Sequence, residues 1–576
     1  MSFTSLCVKC RSAFVDESSE TPPSINTVRS QLRSGYHLSK GDITQLFTLM
    51  EQTERDMERI GAKITVLEEM KKRLEVQRKV LEKHVDECRG LLSPIRQLPV
   101  EILEIFFSHY CSGSPSLIVG SRGIENIGPL VLSSVCKLWR DTSLNRTSLW
   151  SRIDVNLAAI KKQRITELIR LYLERSSPSP LTLNISWVVD TNSERRRRGR
   201  TTKQQGQLTL SLLSILETAS RWQSVSFGFT SGLIWNVIPK KHDSVRFDAL
   251  RDLDLLESSF TSDGDFVDFF LSTPSLQSLK LSEFCLKYPF PFSQLKALTI
   301  LDPFAVGSRD ICHVFTACPA LEELVLEPTY IGLDLTILSP FPQITHPNLR
   351  ALTLRMRRCD SLLTLVSSLT VPNLKSLTLM GDIPASQVMD DPKWRIWKES
   401  LKAMLLRSSC RLENLTMGAA AVKADKDLLE ILALVPTVTH LILIHFHFVS
   451  NHFLRALTLD HSSSTSLDTA ILPNLTHLDL TVFLHDGVNR CPQPDQEILF
   501  SMIKSRCRGS HLRDFGLAAR VAHGDASAES WVQVFISRVK LRLDELEEVG
   551  LRWALDLPLT DRNRSIYNSV ALCIES

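Results

Sequence analysis

With 576 residues the chain is too long for one ordinary hydrophobic core, so several domains or a repeat array are expected. A net charge of +3 provides no general attraction to nucleic acid or to a membrane surface. No stretch reaches the roughly 18 apolar residues that a membrane span needs. The richest one, residues 428–449, is broken by Glu430, Pro436 and three histidines.

The 13 cysteines follow no framework spacing, which fits free thiols in a reducing compartment. The opening MSFTSLCVKCRSAF lacks the apolar core of a secretory signal, so a cytoplasmic or nuclear location is expected. Residues 1–41 are rich in Ser, Thr and charge and lack apolar periodicity; a mostly disordered head is expected there.

From Ile43 apolar residues recur in alternating steps of three and four. Ile43, Met50, Met57, Ile64, Lys71, Arg78, Val85 and Leu92 take position a of successive heptads. Leu46, Thr53, Ile60, Leu67, Leu74, Leu81 and Cys88 take position d. The register holds without a proline, so residues 42–92 read as one coiled-coil-like helix on the order of 75 Å long. Glu54, Glu68, Glu75 and Glu82 give it an acidic flank at position e. Lys71 and Arg78 at consecutive a positions weaken a tight homodimer. Self-association through 42–92 and folding back onto the rest of the chain both stay open.

The helix must stop near Ser93-Pro94, because the residue before a proline avoids the helical region. A second helical pattern starts at Leu98-Pro99, with Glu101 favourable at its first turn and Ile102, Leu103, Ile105 and Phe106 forming a wide apolar face. A Gly/Ser-rich loop follows over 112–123. One further helix is expected over 129–142, carrying Leu132, Val135, Cys136 and Trp139, and Leu149 and Trp150 close the block. A block of about 60 residues buries only about 60% of its surface. Its leftover apolar patch must meet a partner or cap a neighbouring repeat.

The remainder repeats the unit Leu-x-x-Leu-x-Leu. Eleven copies start at Leu250, Leu276, Leu295, Leu321, Leu349, Leu374, Leu412, Val438, Leu475, Leu512 and Leu546. Pro274, Pro319, Pro347, Pro372, Pro436 and Pro473 each stand two residues before such a start, where a proline ends the preceding segment and needs no donor. Helical apolar stretches over 265–271, 397–406 and 427–434 precede some of the units, and 181–185 and 224–227 read as strands of earlier, degenerate copies. The fold class is therefore α/β: parallel strands with helical backs, stacked as a leucine-rich-repeat solenoid over 157–576.

Three motifs stand out within residues 93–156: Leu-Pro-x-Glu-Ile-Leu at 98–103, Val-Cys-x-x-Trp-Arg at 135–140 and Ser-Leu-Trp at 148–150. This segment resembles the F-box. It is closest to the large fungal family with a heptad helix before the box and divergent leucine-rich repeats after it. The resemblance implies docking onto a Skp-family adaptor and, through it, a cullin ubiquitin ligase. Carried over, Leu98, Pro99, Ile102, Leu103, Ile105, Phe106, Val135, Trp139 and Trp150 form the small core of the box and its adaptor-facing surface, without a division between the two roles. The long loop between the box helices departs from the family pattern.

Other features have plainer readings. Arg195 to Arg198, Arg200 and Lys203 form a basic run that suits a solvated loop or a nuclear-localisation signal; no aromatic residues interleave to stack nucleic-acid bases. Cys7 and Cys10 lack a second pair for a zinc site. His440, His445, His447 and His452 fit alternation along a repeat strand better than a metal site. No P-loop, His-Glu-x-x-His or Gly-x-Ser-x-Gly motif is present, and no catalytic residue, cofactor or metal is expected. The expected function is substrate recruitment, with an unknown target read by polar positions between the repeat leucines, such as Glu322, Glu323, Arg350, Lys375, Glu413, His440 and His477. The alternative is a repeat scaffold outside ubiquitin transfer that assembles through the heptad helix.

Overall fold

The computed structural model describes residues 2–5, 13–16, 25–160, 162–187, 202–228, 245–256, 270–301 with short gaps, 310–327, 343–356, 363–381, 393–418, 424–446, 450–459, 470–484, 495–509, 512–521, parts of 539–546, and 551–556. The chain forms two compact units, residues 1–100 and 101–576.

In the first unit, strands β1 (Ser2–Ser5) and β2 (Ala13–Asp16) pair antiparallel, and helix α1 spans Ile25–Arg33. The head expected to be mostly disordered thus carries paired backbone; its two four-residue runs are too short to register as periodicity. Helix α2 spans Lys40–Leu91, 52 residues and about 78 Å. Ser39 starts it through a capping box: its Oγ accepts from the Asp42 N–H at 3.3 Å, and the Asp42 carboxylate accepts from the Ser39 N–H at 2.9 Å. The Ser39 hydroxyl, donating to the Asp42 carboxylate at 2.7 Å, and then the Ser39 N–H hold the Asp42 carboxyl below the usual carboxylate range. At the other end the Leu92 N–H reaches the Cys88 carbonyl, and Pro94 opens a 3-10 turn. No residue of α2 is buried.

At and beyond the start of the second unit, α3 (Val100–Ser112), α4 (Gly128–Val135) and α5 (Lys137–Asn145) are the helices of the segment read as a box. The strands are β3 (Leu117–Gly120), β4 (Gly123–Asn126), β5 (Arg152–Asn156), β6 (Leu181–Ser186), β7 (Trp222–Gly228), β8 (Asp252–Leu255), β9 (Ser278–Leu281), β10 (Ala297–Ile300) and β11 (Glu323–Leu326). They continue with β12 (Ile344–Thr345), β13 (Ala351–Met356), β14 (Leu369–Thr370), β15 (Ser376–Gly381), β16 (Asn414–Gly418), β17 (His440–Phe446), β18 (His477–Leu484), β19 (Asp514–Val521) and β20 (Arg552–Asp556). Among the described residues sixteen of these make one sheet in nearly sequential order from β20 to β5, then β3 and β4; β12 and β14 pair separately. Every neighbour in the large sheet is parallel except β4, which runs antiparallel to β3.

The repeat leucines stack in register. Leu279, Leu298, Leu324, Leu352, Leu377, Leu415, Leu441 and Leu478 occupy equivalent places on neighbouring strands, and all are buried. Turns at Pro347 and Pro372 precede strands, and the carbonyls of Pro319 and Pro347 each accept a side-chain amide from the following repeat. Asn348 Nδ2 donates to the Pro319 carbonyl and Asn373 Nδ2 to that of Pro347, both at 2.8 Å. The last unit is out of register by four residues. Its strand is Arg552–Asp556, so Trp553 and Leu555 take the places assigned to Val549 and Leu551, because pairing with Phe515 and Leu517 sets the alignment.

The backs of the repeats are helical where the apolar stretches 397–406 and 427–434 indicated, at Lys393–Ser408 and Asp425–Leu432. The stretch 265–271 lies almost wholly outside the described residues. Several helix ends are closed by an arginine from the following repeat. Arg506 donates to the carbonyls of Leu457 (2.6 Å), Leu472 (2.7 Å) and Ile471 (2.7 Å), and Arg407 to those of Val366 and Leu369. Arg506 is fully buried, and burial brings its guanidinium pKa down to about 10. Replacing Arg506 by Met strands these carbonyls and is expected to cost about 2–4 kcal/mol of stability. Arg506→Lys, unable to reach three carbonyls, should recover little of it; a thermal or urea unfolding series on the three proteins measures both.

Candidate adaptor-binding surface

Helix α3 has two apolar stripes. Leu103, Phe107 and Cys111 are buried, the second of them edge-on against Trp139 of α5 with ring centroids 5.0 Å apart. Ile102, Ile105, Phe106 and Tyr110 are exposed, the last three by 64%, 57% and 57%. An ion pair from Arg146 Nη1 to Glu104 Oε2 at 2.6 Å joins the end of the α5 segment to α3. The single helix expected over 129–142 is two helices, broken at Cys136, whose backbone is extended (φ −157°, ψ 175°). On them Leu132 is buried, whereas Val131, Val135 and Leu138 are exposed.

Burial differs among the nine residues singled out by the motif. Leu103 and Trp150 belong to the core; Ile102, Ile105, Phe106 and Val135 face outward; Trp139 is half-buried between. Leu98, half-buried, and Pro99, exposed, lie in the first unit. Tyr110, Val131 and Leu138 are exposed apolar residues that the motif did not include. Trp150 donates from Nε1 to the Ser143 carbonyl at 2.8 Å, stands edge-on to Tyr172 of helix α6 (Gln163–Arg175), and carries the Arg175 guanidinium 4.5 Å above its ring. It is core to the box and to the first repeat at once.

The interhelix loop is a structural feature of its own. Its residues form the hairpin β3–β4, and β3 pairs in parallel with β5, so the sheet begins inside the segment assigned to the box. Gly123 turns the hairpin at φ +121°, and a Cβ on Gly120 would run into the Glu125 carboxylate. Asn126 Nδ2 ties the hairpin back to Ser114 Oγ (3.0 Å) and the Pro115 carbonyl (2.9 Å).

The polar residues expected to read a target lie on the open face of the sheet and on the turns entering it. Much of their charge is spent between repeats: Glu322 pairs with Lys296 (3.8 Å) and Arg350 (3.4 Å), and Lys375 with Glu413 (2.9 Å). Glu323 is exposed on β11. His440 and His477 stack with centroids 5.5 Å apart and join a chain that sequence reading missed. His477 Nε2 meets Asp479 Oδ2 at 2.9 Å and His477 Nδ1 faces Asp514 Oδ2 at 3.9 Å; Arg552 clasps both Asp514 oxygens at 2.7 and 2.9 Å. Gly516 makes room for it, since a Cβ there would collide with Asp479. Asp514 shares its strand position with the two histidines, a cue available once the units are aligned.

The hydrogen bond that His477 donates to Asp479 raises the His477 pKa, while partial loss of water and the neighbouring His477 lower that of His440. The side chain of His445, all of His447, the basic run at 195–200, the side chain of Lys203, and Cys7 and Cys10 lie outside the described residues. Among the described residues no three His, Cys, Asp or Glu side chains group to hold a metal ion, and no helix is long and apolar enough to cross a membrane.

The fold so defined is a leucine-rich-repeat protein, mixed α/β with a long amino-terminal helix. A family model described as "FBD-associated F-box protein At5g56370, LRR repeats" matches residues 238–457, so across that span the chain is similar to the repeats of F-box proteins. No curated protein matches the chain.

A proton titration followed by NMR should place His477 above the ordinary value of 6.5 and His440 below it. The sign follows from the fold favouring protonated His477: its contribution to stability is complete below its unfolded pKa and is lost as pH rises through the higher folded one. Asp479→Asn should bring the His477 midpoint down, and Gly516→Val should do the same by pushing Asp479 aside. An unmoved midpoint in both variants would contradict the assigned contacts.

Proposed function

We propose that this chain is a substrate-recognition adaptor of a cullin-type ubiquitin ligase, of the fungal F-box type, with the box on a Skp-family adaptor and the target on the open face of the repeats. The observation that carries the reading is the row of exposed apolar side chains on short box helices: Ile102, Ile105, Phe106, Tyr110, Val131, Val135 and Leu138. Isolated exposed apolar residues are ordinary, but this many on three short helices suit a protein partner. The similarity to the repeats of F-box proteins over 238–457 supports the same reading.

On this reading no residue of the chain performs covalent chemistry. Transfer proceeds by proximity, as the target's lysines are held near a charged ubiquitin. The protein works in the cytoplasm or nucleus. The bare seam of α2 favours a second reading, a repeat scaffold that assembles through its heptads without contact to the ligase.

The deciding measurement is capture of a purified Skp-family adaptor by the full chain. The excised box is unsuitable, because removing residues after 156 leaves β5 without its β6 neighbour. Phe106→Asp and Ile105→Asp place a charge on a surface that is already exposed, so the fold should persist. Loss of a central apolar anchor costs about 2 kcal/mol or more, so binding should weaken at least about thirtyfold. An intact, folded chain that captures no adaptor rules out the ligase reading and leaves the scaffold.

A further inference from the structure

Among the described residues of its own unit, the seam of α2 has no partner that buries it. Ile43, Met57, Ile64, Leu67, Leu74 and Leu81 are between 37% and 68% exposed on a helix with no buried residue. Seven heptads exceed the three or four that a coiled coil usually requires. We propose that the occupant of this seam is α2 of a second copy, aligned parallel and in register, giving a two-stranded homodimer. This inference is independent of the ligase reading.

Charge selects the orientation. Position e holds Phe47, Glu54, Gly61, Glu68, Glu75, Glu82 and Arg89, four of the seven acidic, whereas position g holds Asp42, Leu49, Asp56, Lys63, Met70, Gln77 and His84. An antiparallel pair sets e against e and so sets the glutamates against each other. A parallel pair sets e against g, a row of mixed charge, and brings Lys63 of one copy to Glu68 of the other. The two cations in the seam do not forbid this. Lys71 faces Glu75 at 4.0 Å and Arg78 faces Glu82 at 3.3 Å within the same helix, so each brings its own counter-charge, and no acidic partner helix is needed. Their long stems lie along the seam while their heads reach water.

The same cations set the register. In register, the charged groups occupy two layers, Lys71 on Lys71 and Arg78 on Arg78. A slip by one heptad spreads them over three layers and puts each chain's cation against an apolar layer of the other. A polar a position is known to specify register in this way, at some cost in stability. In a parallel dimer the two chains leave the coil at the same end, so both boxes start together and two repeat faces are available to one target assembly. A target with two recognition sites then gains avidity without any new contact.

Cys88 tests the arrangement. It is a free, exposed thiol at position d, and only the parallel, in-register pair brings it opposite its own copy. Diamide should oxidise the two thiols to one disulfide, itself taking up the two electrons and two protons. The full chain at micromolar concentration should show twice the monomer mass in sedimentation equilibrium, become a covalent dimer with diamide, and lose that cross-link in Cys88→Ser. Leu67→Glu with Leu74→Glu, both on the exposed face, should yield a monomer that captures the Skp-family adaptor as well as the parent does. Lys71→Leu with Arg78→Leu should tighten the dimer at least about tenfold. A monomeric parent chain overturns the proposal; a dimer abolished by the Leu67/Leu74 pair yet not cross-linked through Cys88 overturns the parallel alignment.

Discussion

A single repeat of this chain cannot keep its own leucines dry. Leu377 and Leu379 are sealed only because Leu352 and Leu354 stand on one side and Leu415 and Met417 on the other. The rest of the second unit follows from that dependence. Each strand needs two neighbours, several helix ends take a donor from the next repeat, and the first strand needs something that is not a repeat. The box supplies it: β3 begins the sheet, β4 closes its edge by running the other way, and Trp150 fills the space between α5 and α6. Residues 101–156 therefore cap the sheet, and the same short helices carry a buried apolar stripe and an exposed one.

What could be read from sequence was what is periodic. The leucine units, the prolines before them and the heptads of α2 are each repeated many times, so single exceptions do not hide them. What escaped was local. Nothing in Val-Cys-Lys marks the extended backbone at Cys136 that divides α4 from α5. The glycines of the interhelix loop resemble those of any flexible connection, yet Gly120 and Gly123 shape a hairpin. In the final unit Leu546, Val549 and Leu551 match the pattern as well as Trp553 and Leu555 do, and only pairing with β19 decides between them.

The open face shows a different limit. Glu322, Arg350, Lys375 and Glu413 are each legible within one unit, but their partners come from neighbouring units, so much of their charge is satisfied within the molecule. The cluster of His440, His477, Asp479, Asp514 and Arg552 spans four strands between residues 440 and 552. No local motif contains it. Stacking of repeats turns distant positions into a row, and chemistry that needs several groups at once is written across the strands instead of along the chain.

The direct passage of the sheet into the box also fixes a scale. Neighbouring strands lie about 4.8 Å apart, so thirteen steps from β5 to β20 cover roughly 60 Å measured along the sheet. With no free tether between β3 and the repeats, each strand stands a fixed number of such steps from α3, α4 and α5. The sheet is graduated like a ruler: every position on it lies at a set distance from those helices, counted in repeats.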